Sequence, residues 1–235
     1  MPISIESSFG ARYLRAKNLK NYILNLPGFS PPRIDESPAE YSILLDNVND
    51  ANTNANNAKQ NYNTAVSLRY DAFRNNTNSI FKVLPNIRAA TEAQYGKSSI
   101  HFKQIDAAIK TIRNTKIIHI AATETTPETT ISRSEQSYGS STQYFANIIN
   151  NLIQLPNYNP SNPTIKIAGL QAILTNINTL NSQVATAFQA IRASRVARNA
   201  AYTELKDRSL RIKAYIKATY GTQSEEYKLV KGLSI

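Results

Sequence analysis

The chain has 235 residues, of which 41% are hydrophobic and 18% charged, so its composition is typical of a folded protein with a buried core. It contains no cysteine, which excludes disulfide bonds, a thiol nucleophile and any cysteine-ligated metal. Its net charge of +11 would attract nucleic acid, another polyanion or an anionic membrane surface.

The first twenty residues, MPISIESSFGARYLRAKNLK, hold no apolar run of the length found in signal peptides. No other stretch approaches the ~18 apolar residues of a membrane-spanning helix. We therefore expect a cytoplasmic protein without a membrane span. Export by a route that uses no N-terminal signal is the alternative.

A short helix is expected over residues 9–25, ending at Leu26-Pro27. The asparagine-rich stretch 46–64, DNVNDANTNANNAKQNYNT, would by composition alone suit a disordered linker. Apolar or amphipathic residues nevertheless recur through it at alternating spacings of three and four: Tyr41, Leu44, Val48, Ala51, Ala55, Ala58, Tyr62 and Ala65. No asparagine lies on this seam, so the pattern predicts a long helix with a narrow, alanine-rich buried face.

A medium helix is predicted over residues 78–95, with Gly96 as the glycine that ends it. Ser99 is the expected N-cap of another short helix. The segment KIIHIAA, 116–122, either ends that helix or forms the chain's one candidate strand. The Thr/Glu-rich stretch 117–136 is predicted to be an exposed linker or arm.

The second part of the chain repeats the first. When the sequence is shifted by 129 residues, 16 of the 66 pairs from 8/137 to 73/202 are identical. The offset then falls to 125, because the second copy is four residues shorter, and Tyr95-Gly96 aligns with Tyr220-Gly221. We interpret this as a tandem duplication of a unit of about 95 residues.

The second copy shows the helical pattern more clearly. After a helix over 138–154, apolar residues at heptad spacing predict a long helix over 166–202: Leu170, Ile173, Ile177, Leu180, Val184, Ala187 and Ile191. A separate medium helix is predicted over 205–220. Ser224 should cap a last short helix, with Glu225 and Glu226 favourable in its first turn.

These elements define an all-α fold. We expect a helical bundle of two tandem pseudo-symmetric repeats, each with a long and a medium antiparallel helix plus short flanking helices. The expected divisions are residues 1–116 for the first repeat, 117–136 for the linker or arm, and 137–235 for the second repeat. The two repeats should pack as one bundle, with their long helices side by side about a pseudo-twofold axis.

Motifs that carry enzymatic chemistry are missing from the sequence. The two histidines, His101 and His119, show no metal-ligand spacing, and there is no glycine-rich phosphate loop and no G-x-S-x-G. Asp35, Glu36 and Glu40 are explained by the favourable position of negative charge before a helix. We therefore expect a non-enzymatic protein without catalytic, cofactor-binding or metal-binding residues and without a small-molecule substrate.

The basic segment 192–217 is the candidate polyanion-binding site, with tyrosines interleaved among its cations: Arg192, Arg195, Arg198, Lys206, Arg208, Arg211, Lys213 and Lys217. Such a face could contact phosphates. The alternative is a solvated helix surface on which some cations pair with Glu204 and Asp207. Arg198 also recurs as Arg69 in the first copy, which predicts a structural bond common to both copies.

Asparagines form the most specific polar pattern, because three of them recur in the second copy: Asn47, Asn49 and Asn52 match Asn176, Asn178 and Asn181. These amides could bond between the long helices, or form a surface ladder that contacts neighbouring molecules. A ligand site is the third interpretation.

The C-terminal stretch 212–233, IKAYIKATYGTQSEEYKLVKGL, has a lysine-rich helix, then Tyr220-Gly221, then Ser224, Glu226 and Tyr227. This order resembles the C-terminal signature of a group of helical proteins from Bacteroidetes-type bacteria. In the first copy His101 stands where Glu226 is found. The group has no known activity, so the resemblance implies a bacterial, non-enzymatic helical protein and transfers no functional residue.

The leading hypothesis is therefore a non-catalytic structural protein that acts through helix-mediated protein–protein contacts and assembles with itself or with another protein. Binding of nucleic acid or another polyanion through residues 192–217 is the alternative.

Overall fold

The computed structural model describes residues 8–113 and 138–235, and within these ranges it contains seven α-helices and no strand. The helices are α1 (Phe9–Leu24), α2 (Pro38–Phe73), α3 (Ile80–Tyr95), α4 (Ile100–Arg113), α5 (Tyr138–Ile153), α6 (Ile167–Tyr220) and α7 (Glu225–Lys231). Single 3-10 turns, Ile34–Glu36 and Pro163–Ile165, precede α2 and α6. The all-α prediction is confirmed for this part of the chain, whereas the predictions for 116–122 and 117–136 fall outside it.

The second copy differs from its prediction in one respect. Where a long helix over 166–202 and a separate antiparallel helix over 205–220 were predicted, α6 is one helix of 54 residues, so that prediction is wrong. In the first copy, six residues, 74–79, separate α2 from α3. The second copy lacks four residues at this place, and its helix continues through it without a loop.

The predicted seam of α2 is confirmed. Tyr41 and Val48 are completely buried, Ala55 and Tyr62 are buried, and the remaining seam residues are buried or half-buried. The asparagine-rich stretch is therefore an ordinary part of a 36-residue helix. Since asparagine is a mediocre helix former, the packing of this face must stabilise the helix.

The chain divides into two compact units. Unit 1 contains Met1–Gln60 and Gln189–Ile235, and unit 2 contains Asn61–Phe188. Both α2 and α6 contribute one part to each unit, so each unit combines residues from both halves of the chain.

In unit 1, the first part of α2 packs against the last part of α6. The two helices run antiparallel there, because Tyr41 bonds to Ser209 (2.6 Å between the hydroxyl oxygens) and Asn52 Nδ2 donates to Tyr202 Oη (2.9 Å). The core also takes residues from α1 and α7: Ala16, Leu19, Ile23, Leu44, Leu45, Leu205, Ile212, Ile216 and Val230. Burial raises the pKa of Tyr41 to about 12, so its hydroxyl stays protonated.

In unit 2, helices α3, α4 and α5 pack with the last part of α2 and the first part of α6. The core residues include Phe73, Ile80, Leu84, Ile87, Ile105, Ile109, Phe145, Ile148, Leu152, Leu170 and Ile177. Arg88 of α3 donates to Asp106 of α4 (Nε to Oδ1, 2.6 Å). The hydrogen bonds from Lys110 and Arg88 hold the pKa of Asp106 below its usual value.

The helix ends follow the predicted pattern. Gly96 and Gly221 have φ of +81° and +99° after α3 and α6, a conformation that glycine adopts without a Cβ penalty. The hydroxyls of Ser99 and Ser224 accept the backbone N–H groups of Phe102 and Tyr227, each at 3.1 Å. Both serines are therefore N-caps, as the sequence predicted.

Three contacts within unit 1 have counterparts within unit 2. Tyr220 Oη donates to the carbonyl of Pro27 in unit 1, and Tyr95 Oη donates to that of Pro156 in unit 2, both at 2.7 Å. The second contact joins two aromatic rings: Phe9 and Tyr202 in unit 1, and Tyr138 and Phe73 in unit 2. In the third contact a guanidinium lies over an aromatic ring: Arg198 over Phe9 in unit 1, and Arg69 over Tyr138 in unit 2. Each of the three joins residues from both copies of the sequence repeat.

We predict that Tyr202→Phe destabilises the fold by about 1–3 kcal/mol. The hydroxyl of Tyr202 accepts from Asn52 and donates to the carbonyl of Phe9 at 2.7 Å, so its removal leaves both groups without that partner. Urea denaturation followed by circular dichroism would measure the loss. Tyr227→Phe is the control, since its hydroxyl makes no hydrogen bond to a described residue. Equal stability of the two variants would contradict this role of Tyr202.

Candidate functional site

The segment of α6 between residues 192 and 217 has two different faces. Its inner face, with Tyr202, Leu205, Ile212 and Ile216, lies in the core of unit 1. Its outer face carries a second row of residues at heptad spacing, all exposed, which we call the outer stripe: Ala193, Val196, Ala200, Thr203, Asp207, Leu210, Ala214 and Lys217. The side chains of Val196 and Leu210 are 69% and 50% exposed, so this stripe presents apolar surface to the outside of unit 1.

Two of the predicted polyanion-binding residues are engaged with the acidic cluster before α2. Arg211 Nε donates to Glu36 Oε1 (2.7 Å), and Arg208 Nη1 donates to the backbone carbonyl of Asp35 (3.1 Å). Arg208 also pairs with Glu204. The sequence interpretation of Asp35 and Glu36 as helix-start charges therefore omits their arginine partners on α6, which lie about 175 residues further along the chain.

The acidic cluster holds a third arginine, close to it in the sequence. Arg33 donates to both carboxylate oxygens of Asp35, at 3.0 and 3.1 Å. The hydrogen bond from Arg33 is the main reason why the pKa of Asp35 lies below its usual value. The carboxylate of Asp35 therefore stays ionised and keeps its arginine partners over the neutral pH range.

Three further cations of the segment have contacts inside unit 1. The guanidinium of Arg198 lies 4.1 Å from the ring centre of Phe9, and Lys217 Nζ lies 5.9 Å from that of Tyr227. Lys213 Nζ donates to the carbonyl of Leu233 (2.8 Å), and burial lowers the pKa of this lysine. Arg198 thus has the structural contact that its recurrence as Arg69 predicted.

Arg192, Arg195 and Lys206 make no ion pair with any residue in the described ranges. Arg192 and Lys206 are exposed, and Arg195 is half-buried. Lys206 also lines a cleft of about 390 Å³ that reaches Thr203 and Asp207 of the outer stripe. These three cations and the outer stripe together form the candidate interaction site.

The recurring asparagines fall into two groups. Asn47, Asn49, Asn176 and Asn178 are exposed. Asn52 bonds between α2 and α6 within unit 1, whereas Asn181 Nδ2 donates to Thr142 Oγ1 of α5 within unit 2 (3.2 Å). The predicted hydrogen bond between the long helices is thus made by Asn52 alone among these six asparagines, all of which the structure describes. The side-chain amides of the four exposed asparagines are available to other molecules.

The spacing of the outer stripe is present in the sequence, but the more strongly apolar buried seam of the same helix makes it hard to recognise. Residues 193 to 217 have alternating spacings of three and four on a face that the inner seam leaves free. Only the exposure of Val196 and Leu210 shows that this row stays uncovered in unit 1. The spacing of apolar residues in the sequence reveals a heptad row, but only the structure shows whether that row is buried.

Within residues 8–113 and 138–235, no three histidine or acidic side chains are grouped so that they could hold a metal ion. None of the helices in the same ranges is both long and apolar enough to cross a membrane. No protein-family model, curated protein or solved structure matches the chain significantly.

We predict that Arg211→Gln costs about 1–3 kcal/mol of unfolding free energy, because it removes the hydrogen bond to the buried carboxylate of Glu36 and leaves only Arg33, 3.7 Å away, as its ion-pair partner among the described residues. Arg192→Gln, on the exposed part of the same helix, should change it by less than about 0.5 kcal/mol. Urea denaturation of both variants is the measurement. The cost of Arg211→Gln should also shrink in a Glu36→Gln background, and an unchanged cost there would contradict the pairing.

Proposed function

We propose that the protein is a non-catalytic helical interaction protein that associates with itself through the outer stripe of α6. The observation that carries the proposal is the exposed apolar row at heptad spacing, with Val196 and Leu210 as its largest side chains. Apolar residues in this arrangement are typical of helix–helix contacts. They lie on a helix whose inner face is fixed in a core, so they are presented on a rigid support.

The stripe suits an antiparallel copy of itself. If two such helices pack about a twofold axis near residue 212, Leu210 of each lies opposite Ala214 of the other. Asp207 then lies opposite Lys217, because residues 207 and 217, like residues 210 and 214, are equally far along the helix from residue 212. A large residue meets a small one and a carboxylate meets an ammonium, so the same arrangement satisfies packing and charge.

The proposal includes a tandem duplication in which the two copies exchange halves. Under it, unit 1 joins the first half of copy one to the second half of copy two, and unit 2 joins the remaining halves. The paired contacts support this idea, since Tyr220–Pro27 and Tyr95–Pro156 link equivalent positions of opposite copies. Two separate copies would make the same contacts in a symmetric dimer, so a self-associating ancestor fits the proposal.

Polyanion binding through residues 192–217 is the second candidate. The uncompensated Arg192, Arg195 and Lys206 favour it, and so does the net charge of +11. The intramolecular contacts of Arg208, Arg211 and Lys213 weigh against it, because these groups would have to give up partners to bind phosphate. The bacterial origin implied by the C-terminal signature and the cytoplasmic location remain part of the proposal.

We predict a concentration-dependent dimer by size-exclusion chromatography with light scattering. Leu210→Glu should weaken dimerisation by about tenfold or more, because it places a charge in the apolar contact. Leu229→Glu on α7, which changes an equally exposed leucine outside the stripe, should dimerise normally. A strict monomer at high concentration would refute self-association.

Charge variants of α6, compared with the outer-stripe variant, distinguish self-association from polyanion binding. Retention on heparin that falls with salt, and that Arg192→Glu, Arg195→Glu and Lys206→Glu remove together, would support the polyanion candidate. Under the leading proposal, these three changes leave the dimer intact. Loss of dimerisation in the charge variants, with Leu210→Glu unaffected, would contradict the outer stripe as the interface.

A further inference from the structure

The place where the two copies differ in length forms one wall of a cleft in unit 2. The loop between α2 and α3 supplies Asn76 and Asn78, and the opposite wall contains Asn176 of α6 and Thr164 of the preceding 3-10 turn. The cleft has a volume of about 470 Å³. In the second copy α6 continues without a loop at the equivalent place, so the asparagine wall belongs to the first copy alone.

The backbone around the cleft is held in place on both sides. A Cβ atom at Gly169 would lie 2.3 Å from the carbonyl oxygen of Pro163, so the absence of a side chain lets the 3-10 turn lie directly against α6. On the loop side, Asn75 Nδ2 donates to Asp71 Oδ1 (2.7 Å), and Lys82 donates to the carbonyl of Asn75. The two walls are thus fixed before any ligand arrives.

The lining of the cleft is uncharged. It contains no ionisable side chain, and its floor is apolar, with Ala72, Ile173 and Ile177. The side-chain amides of Asn76, Asn78 and Asn176 make no hydrogen bond to any residue that the structure describes. Three amides with free donors and acceptors therefore surround an apolar surface.

We propose that this cleft binds a neutral saccharide. A pyranose ring has a C–H face that can lie on an apolar floor and hydroxyl groups at its edge that pair with amide donors and acceptors. An anionic ligand would find no cation in the lining, and a cationic ligand would find no carboxylate. The chemistry therefore favours an uncharged, hydroxyl-rich ligand of one or two rings.

The test is saturation-transfer NMR and calorimetric titration of the full chain with methyl glucoside, N-acetylglucosamine and maltose. At least one should bind in the millimolar range or tighter, and Asn76→Ala and Asn176→Ala should each weaken it by about tenfold. Asn47→Ala is the matched control, because Asn47 is the counterpart of Asn176 in the first copy, is exposed and lies outside the cleft. It should bind like the unchanged chain.

Ala172→Ile is a second variant, since it fills the cleft at an exposed position where the first copy has Ile43. It should abolish binding while the circular dichroism spectrum stays the same. Binding should not depend on salt, which distinguishes this site from polyanion binding through α6. Absence of binding for all three sugars, or binding that Asn76→Ala and Asn176→Ala leave unchanged, would overturn the proposal.

Discussion

The packing of α2 against α6 is the constraint on which the rest of the structure depends. Four of the eight seam residues of α2 are alanines, so the middle of this helix has little apolar surface of its own, and its asparagines contribute no strong helical propensity. The seam of α6 supplies the larger residues, such as Leu205 and Ile212 in unit 1. Bonds between their polar side chains, such as Tyr41–Ser209 and Asn52–Tyr202, fix which turns of the two helices face each other within unit 1.

This pairing explains the distribution of the charges. Arg208 and Arg211 reach the acidic cluster before α2 only because the two helices run antiparallel in unit 1. Cations that look like a binding surface in the sequence thus become part of the fold. What remains outside is a rigid helix face with an apolar row and three cations that form no ion pair with the described residues, and both proposed functions depend on that face.

Much of the fold could be predicted from local sequence signals. Ser99, Ser224, Gly96 and Gly221 mark helix ends through their own backbone and capping chemistry, so one sequence is enough to find them. The buried seam could be predicted for the same reason. The continuous α6 could not, because Ser194 and Arg198 interrupt the apolar pattern between Ile191 and Tyr202, and only the four residues that the second copy lacks indicate that the helix goes on.

The candidate site was less predictable, because it depends on contacts between distant parts of the chain. Nothing near Arg211 in the sequence indicates that Glu36 is its partner, and nothing near Val196 indicates that this residue stays exposed. The recurrence of Arg69 as Arg198 is the exception. A residue that recurs in a matching sequence pattern indicates a contact made at both places, and both arginines do lie over aromatic rings at matching positions.

The central claim is that each unit is built from complementary halves of the two copies, and co-expression of the chain as two separate pieces, 1–125 and 126–235, tests it most directly. With an affinity tag on one piece only, the account predicts that both pieces purify together in a one-to-one ratio with the helix content of the intact chain. Each piece would then lack half of both cores when expressed alone. Two pieces that purify separately, each as a stably folded monomer, would contradict the account, because each copy would then form its own core.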